Sequence, residues 1–183
     1  MTDSIHYFNQ FLGIGAIALQ IISVFTLFLL FLGLKENKYL SCLKENFIVL
    51  GFFLSLIPTL FSLFYSEILN YAPCLHCWVQ RIFLFPQTFL FGVAWFRKDR
   101  NVFWYSMPLL LVGTLDALYL NYIYYFDPNS SVCDASGVSC VQRLVSEMGG
   151  YISIPMLSLT SFISLVTLLL VVYFFKKENK NYE

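Results

Sequence analysis

Charge is what this sequence has least of. Asp, Glu, Lys and Arg together make 12% of the 183 residues, against about 25% in an ordinary soluble domain. A soluble enzyme with an appended anchor is excluded as well, because too little chain remains outside the apolar stretches. Neither sign of charge dominates: 11 basic and 11 acidic residues cancel, which removes any electrostatic argument for a nucleic-acid partner. Histidine is scarce, with only 2 residues, His6 and His76, so bis-histidine haem is disfavoured. Internal repeats, linkers and low-complexity tails are lacking. Apolar residues fill the gap: 58% of the chain is hydrophobic and 19% aromatic, with Phe 20, Tyr 12 and Trp 3, and mean hydropathy is +0.71. That aromatic content excludes disorder and leaves a one-domain, membrane-embedded protein as the leading class.

Stretches free of Asp, Glu, Lys and Arg run from Ser4 to Leu34, Asn46 to Ser66 and Met148 to Phe175. Two more are interrupted once each, Ile68 to Phe96 by Arg81 and Asn101 to Phe126 by Asp116. A bilayer core about 30 Å thick needs roughly 20 apolar residues of helix. Five spans are therefore expected, near 10–34, 47–67, 76–96, 102–125 and 152–175. The first is expected to be a retained span and not a cleaved signal peptide, because residues 1–9 lack Lys and Arg and positive charge follows the apolar stretch. Lys35, Lys38, Lys44, Arg97, Lys98, Arg100, Lys176, Lys177 and Lys180 all fall on one side of a five-span chain. By the positive-inside rule that side is the cytoplasm. The N-terminus and segments 68–75 and 126–151 then face outward; a four-span count would break this parity. Pro58, Pro86 and Pro155 are expected inside spans as packing kinks.

The five cysteines sort by side. Cys42 falls in the first cytoplasmic connection, where a free thiol is the default. Cys74 and Cys77 sit at the outer mouth of the third span, and Cys133 and Cys140 in the outer loop before the last. All four face the side on which disulfides persist. The run Pro73-Cys-Leu-His-Cys-Trp-Val-Gln-Arg81 holds a Cys-x-x-Cys, the spacing usual for redox-active pairs. Cys77 opens a helix, so its thiolate is expected to feel the partial positive charge of free N–H groups. Arg81 lies four residues on, on the same helix face, able to stabilise that thiolate or the anionic oxygen of a bound acceptor. A guanidinium inside a span is costly and functional by default; snorkelling to the interface is its plainer reading. Cys133 and Cys140 lie in a polar stretch that includes Gly137. A loop-closing staple and a zinc site with His76 remain open for the outer cysteines. Covalent haem does not, because residue 78 is Trp where Cys-x-x-Cys-His needs histidine.

On these residues the chain resembles the DsbB/BdbC family, the quinone-dependent membrane oxidases of disulfide-bond formation. The resemblance rests on Glu67-Ile-Leu-Asn-Tyr-Ala-Pro-Cys-Leu-His-Cys-Trp-Val-Gln-Arg81, on the later outer cysteine pair, and on Ile154-Pro155-Met-Leu-Ser-Leu. It covers roughly residues 47–175, and the short Cys133–Cys140 spacing lies closer to the BdbC branch. Vitamin K epoxide reductase relatives place the loop cysteines before the Cys-x-x-Cys, the reverse order. Two positions depart from the family pattern: His76 stands where leucine is common, and Leu120-Asn121 occupy the region of a histidine often found in the fourth span.

The resemblance implies an all-α membrane protein, a four-helix transmembrane bundle of DsbB type plus one additional N-terminal helix. Residues 1–46 are then the extra span and its connection, 47–175 the redox domain and 176–183 a cytoplasmic tail. It implies the redox pairs Cys74–Cys77 and Cys133–Cys140, no metal, and a quinone cofactor, ubiquinone or menaquinone, contacted by Arg81, Gln80 and Trp78. A DsbA-like thioredoxin-fold partner attacks Cys133–Cys140, most plausibly at Cys133, and the electrons pass to Cys74–Cys77 and then from Cys77 to the quinone. DsbA-type proteins are strong oxidants at about −120 mV, so their reoxidation needs a sink more oxidising than glutathione. The implied location is the bacterial plasma (inner) membrane, with both pairs extracytoplasmic and the C-terminus cytoplasmic.

Other polar residues at depth have two readings each. Asp116 relays protons or pairs with Arg81, or else forms an interhelical hydrogen bond as a neutral acid. Gln80 and Gln87 hydrogen-bond neighbouring helices, Gln80 being the better quinone contact because it adjoins Arg81. Glu67 is a possible partner for Arg81, and Trp78 an interfacial anchor or a pocket wall. The rival functions are a non-enzymatic protein with structural outer disulfides, which resist mild reductant, and a reductase running electrons outward.

Overall fold

The computed structural model describes residues 2–33, 37–126, 140–141 and 145–179. Six α-helices follow in order: α1 (Thr2–Phe31), α2 (Lys38–Glu45), α3 (Phe47–Leu63), α4 (Leu75–Arg97), α5 (Val102–Phe126) and α6 (Ile154–Asn179). Among the described residues, four helices are long and apolar enough to cross a membrane: His6–Phe31, Phe47–Ile68, Val102–Phe126 and Ile154–Phe175. The chain is thus a multi-pass membrane protein. The segment expected as a third span is also one helix, the 23-residue α4, but it falls short of the other four in apolar character. It carries Gln80, Arg81 and Gln87, all buried.

Local chemistry sets the ends of these elements. Gly33 takes a left-handed conformation, φ +68°, just past α1, the usual helix-ending use of glycine. Asn37 caps α2, its side chain accepting from the Tyr39 N–H at 3.0 Å. This short helix lies in the connection that the hydropathy reading left without structure. The α3 helix widens into a π-helical turn over Phe64–Ile68, of the kind often seen at functional sites. Lys98, left-handed at φ 53°, ends α4. Pro155 is the second residue of α6, where no hydrogen bond is asked of its nitrogen, so it is a helix starter and not the expected kink. Pro58, Pro86 and Pro108 do lie inside helices.

Helices α3, α4, α5 and α6 pack in a ring, each against the next, with α6 closing on α3. Phe47, Phe91, Leu110, Phe162 and Leu165 are buried at its centre. Two glycines permit close approach: a Cβ at Gly51 would run into the Phe91 ring, and one at Gly113 into Phe162. Small residues at such crossings are how membrane helices pack without a hydrophobic drive. Gly113→Leu is therefore expected to destabilise the bundle by about 1–3 kcal/mol or more, read as a lower midpoint of thermal unfolding in detergent. An unchanged midpoint would show that the α5–α6 contact yields freely.

Outside the ring, α1 lies along α6. Several of its polar residues find partners inward. The Nδ1–H of His6 donates to Glu147 Oε1 at 2.8 Å, and Asn9 Oδ1 accepts from the Tyr65 hydroxyl at 2.6 Å. Gln20 donates to Thr160 Oγ1 at 2.7 Å and accepts from the Tyr151 hydroxyl at 2.9 Å. These ties explain why α1 begins well before residue 10: His6 and Asn9 are held by the bundle, so nothing stops the helix there. At the opposite end, Arg100 donates to the Lys44 carbonyl at 2.8 Å, Lys44 lies over the Phe175 ring and Arg100 over Phe47. The basic connections thus gather at one end of the bundle and the Cys-x-x-Cys at the other.

Candidate functional site

The Cys-x-x-Cys begins α4. Pro73 precedes it, and Cys74 is the helix cap, extended at φ −72°, ψ 174°, with its sulfur accepting from the Cys77 N–H at 3.4 Å. The side chain expected to exploit the helix N-terminus was that of Cys77; the sulfur that does so is that of Cys74. The reason is positional. A cap residue's side chain reaches the free N–H groups of the first turn, whereas Cys77 already lies within that turn. Both thiols are reduced here, with Sγ atoms 2.8 Å apart.

The hydrogen bond from the Cys77 thiol pulls the Cys74 thiol down from its ordinary value to about 7; burial opposes the shift, while the Cys77 N–H and His76 add to it. Cys74 is thus mainly thiolate above pH 7 and mainly thiol below. Alkylation of Cys74 in the reduced protein, followed by mass spectrometry, is expected to be half-maximal near pH 7. Cys77→Ala removes the main cause and is expected to move that midpoint up toward about 8.5. The same midpoint in both proteins would exclude the Cys77 hydrogen bond as the cause.

Cys140 is buried and takes part in a disulfide. Together with Cys74 and Leu120 it forms one buried cluster, and Cys77 packs against it. Three of the four expected redox cysteines therefore meet at one place. The fourth, Cys133, lies outside the described residues. Cys42 is free and exposed at the other end. Among the described residues no cluster of His, Cys, Asp and Glu could hold a metal.

Arg81, only 9% exposed, does not snorkel. Its Nε donates to Ser62 Oγ at 2.9 Å and an Nη to the Ser62 carbonyl at 2.8 Å, at the end of α3. Among the described residues no carboxylate forms an ion pair with it. Glu67 is occupied instead by the Ser66 hydroxyl. Asp116 does not pair with Arg81 either: its Oδ1 accepts from His76 Nδ1–H at 2.7 Å, and its Oδ2 is buried with no partner among the described residues. The contact joins α4 to α5, the interhelical hydrogen bond that was the second reading of Asp116. Leu120, one turn after Asp116, packs beside Cys74, which puts Asp116 level with His76.

A cavity of about 560 Å³ opens beside these groups, lined by Cys77, Gln80 and Arg81 from α4 together with residues of α1, α3 and α6. Its size falls in the range of about 300–1,000 Å³ usual for small-molecule sites. The walls are apolar apart from α4's polar groups and a few hydroxyls such as Ser158, which donates to Gln80 Oε1 at 2.6 Å. Gln80 Nε2 is buried with no partner among the described residues, a donor able to meet an acceptor in the cavity. Trp78 does not line the cavity; it is 53% exposed, its ring 5.1 Å from the Arg81 guanidinium. Sequence reasoning missed the His76–Asp116 pair and Ser62. The signal for the first was present, since two titratable residues expected inside spans call for each other.

Fold and cysteines define a class: a multi-pass helical membrane protein with a capped Cys-x-x-Cys dithiol beside a third, buried cysteine. The family described as "Disulfide bond formation protein DsbB" matches residues 44–174, and the chain belongs to it. It is 37% identical over 118 residues to the SPbeta prophage-derived disulfide bond formation protein B of Bacillus subtilis (strain 168), covering 64% of this chain and 79% of the relative. It is 30% identical over 141 residues to the Probable disulfide formation protein C 2 of Bacillus anthracis, covering 77% and 100%. It is 37% identical over 127 residues to the Probable disulfide formation protein of Chlamydia trachomatis serovar D, covering 69% and 92%. No solved structure gives a significant match.

Proposed function

We propose that this protein is a membrane thiol–disulfide oxidase that reoxidises an extracytoplasmic thioredoxin-fold partner of the DsbA type and delivers the electrons to a quinone. Family membership and the relatives' names support disulfide formation. The observation that carries the acceptor is the cavity in which Cys77 meets a buried guanidinium with no carboxylate partner among the described residues. In the proposed topology α1, α3, α4, α5 and α6 all cross the membrane, α4 included because it packs as one continuous helix between α3 and α5. The basic end is cytoplasmic, the cysteine end outside, in a bacterial plasma membrane.

A partner thiolate attacks the Cys133–Cys140 disulfide, forming a mixed disulfide that the partner's second thiol resolves. The partner leaves oxidised, and Cys133 and Cys140 are left as thiols. One of these attacks the Cys74–Cys77 disulfide, and the second exchange restores Cys133–Cys140 with Cys74 and Cys77 reduced. The shared cluster of Cys74, Leu120 and Cys140 supports this route, because exchange needs a thiolate and a sulfur in contact. The first attack falls on Cys74 and releases Cys77 on the cavity side; Cys74, with its lowered pKa, is then a good leaving group in the second exchange. The residues present suit a quinone: Arg81 supplies positive charge, the unpartnered Gln80 Nε2 a hydrogen bond, and the apolar walls room for a ring. A bound quinone would supply a two-electron, two-proton sink, leaving as the quinol while the dithiol closes to a disulfide.

The test is quinone reduction by the purified protein supplied with a reduced DsbA-type protein. Turnover that disappears in Cys133→Ser while the Cys74–Cys77 pair stays intact is the expected result. No quinone reduction with any such partner would leave structural outer disulfides as the better account.

A further inference from the structure

The cavity beside Cys77 is not built from the family-matched bundle alone. The match begins at residue 44, yet Phe11, Leu12, Gly15, Ala16 and Leu19 of α1 line the cavity opposite Arg81's helix. Leu12, Ala16 and Leu19 recur at the i, i+4, i+7 spacing that puts them on one helix face. That face is turned inward by ties along the helix, from Asn9 to Tyr65 and from Gln20 to Thr160 and Tyr151. Without α1, Cys77 and Arg81 would front an open groove between α3 and α6, filled by lipid.

We propose that α1 is a specificity wall of the quinone site: it converts that groove into a chamber for the quinone ring and sets what side chain the ring can carry. This rests on the proposed function above. The helix packs along α6 and much less against α3. The chamber's open side is therefore the seam between α1 and α3. Phe11 and Ile57 line the cavity there yet stay 74% and 48% exposed toward the surrounding lipid. An isoprenoid tail leaves through that seam, and its first units lie against α1. Gly15 widens the passage: a Cβ built there meets no atom within 4 Å, so the space beside it is not packed protein.

Two readouts test this on the full-length protein. The first is labelling by a short-chain benzoquinone bearing a photoreactive azide, mapped by mass spectrometry. Label is expected within residues 11–19 as well as on α4. The second is binding of decyl-substituted and long-tailed isoprenoid benzoquinones, followed by quenching of tryptophan fluorescence. Gly15→Phe fills the passage and is expected to weaken the long-tailed quinone by about tenfold or more, the scale of a misfit in an apolar pocket, with a smaller change for the short one. Leu19→Ala removes bulk from the same wall and is expected to narrow the preference between the two, so a poorly folding Gly15→Phe does not decide the matter. Label confined to α3, α4 and α6, or unchanged discrimination in Leu19→Ala, would overturn the role of α1 while leaving the oxidase intact. An unmodified protein that binds neither quinone would overturn both.

Discussion

Cys77→Ser is expected to abolish quinone reduction, by roughly a thousandfold or more, as loss of a nucleophile that acts as a unit with its neighbours does. It should also leave a trace. Cys74 keeps its place beside Cys140 in the buried cluster and loses the thiol that would resolve an exchange at its sulfur. A Cys74–Cys140 disulfide is therefore expected in the variant before reduced partner is added, formed when the Cys74 thiolate attacks the Cys133–Cys140 disulfide and releases Cys133 as a thiol, and visible as a linked peptide pair under non-reducing conditions. In Cys74→Ser the trap cannot form in this way, because the sulfur in that cluster is the one removed. Quinone turnover that survives Cys77→Ser would show that Cys77 is not the electron outlet, and the orientation of the relay would have to be reversed.

Arg81→Met is expected to raise the quinone KM by about 10- to 100-fold, the loss of one or two charge-assisted hydrogen bonds. The guanidinium has two jobs that methionine cannot do. It satisfies the Ser62 hydroxyl and carbonyl, and among the described residues it is the one basic group lining the cavity. Arg81→Lys separates them. Lysine keeps the charge but cannot reproduce the planar fork, so it is expected to retain part of the quinone affinity while loosening the α3–α4 contact. Thiol exchange between the cysteine pairs should be unaffected in both variants, measured as oxidation of one equivalent of partner without quinone. Equal and small effects of the two substitutions on quinone KM would reduce Arg81 to a packing residue.

Much of this was legible in one dimension. The charge-free runs anticipate five long helices, because in a bilayer an ionised side chain is so costly that its absence marks the span. The basic connections, read only as a tally of loops, do collect at one end, where Arg100 reaches the Lys44 carbonyl. The Cys-x-x-Cys was equally plain, since its spacing is itself the chemistry. What could not be read is what depends on rotation and depth of one helix against another. Asp116 carried two readings along the chain, and only the packing of α5 on α4 shows that it meets His76 and not Arg81. Trp78 had two readings, pocket wall or interfacial anchor; its ring lies by the Arg81 guanidinium yet outside the residues that line the cavity. The first helix showed only hydrophobicity, and apolar residues that line a chamber have the same letters as those that face lipid.

The contacts that seal the chamber join the two ends of the chain: Gln20 meets Thr160 at a separation of 140 residues, and His6 meets Glu147 at 141. During synthesis the chain emerges from its N-terminus, so the helix bearing Cys74 and Cys77 is inserted long before α6 exists. Through that interval the dithiol has neither the cysteine proposed to feed it nor the chamber proposed to drain it. The proposed electron route is therefore completed by the last helix made. Any truncation that removes α6 leaves a protein with its reactive thiols in place and no outlet for their electrons.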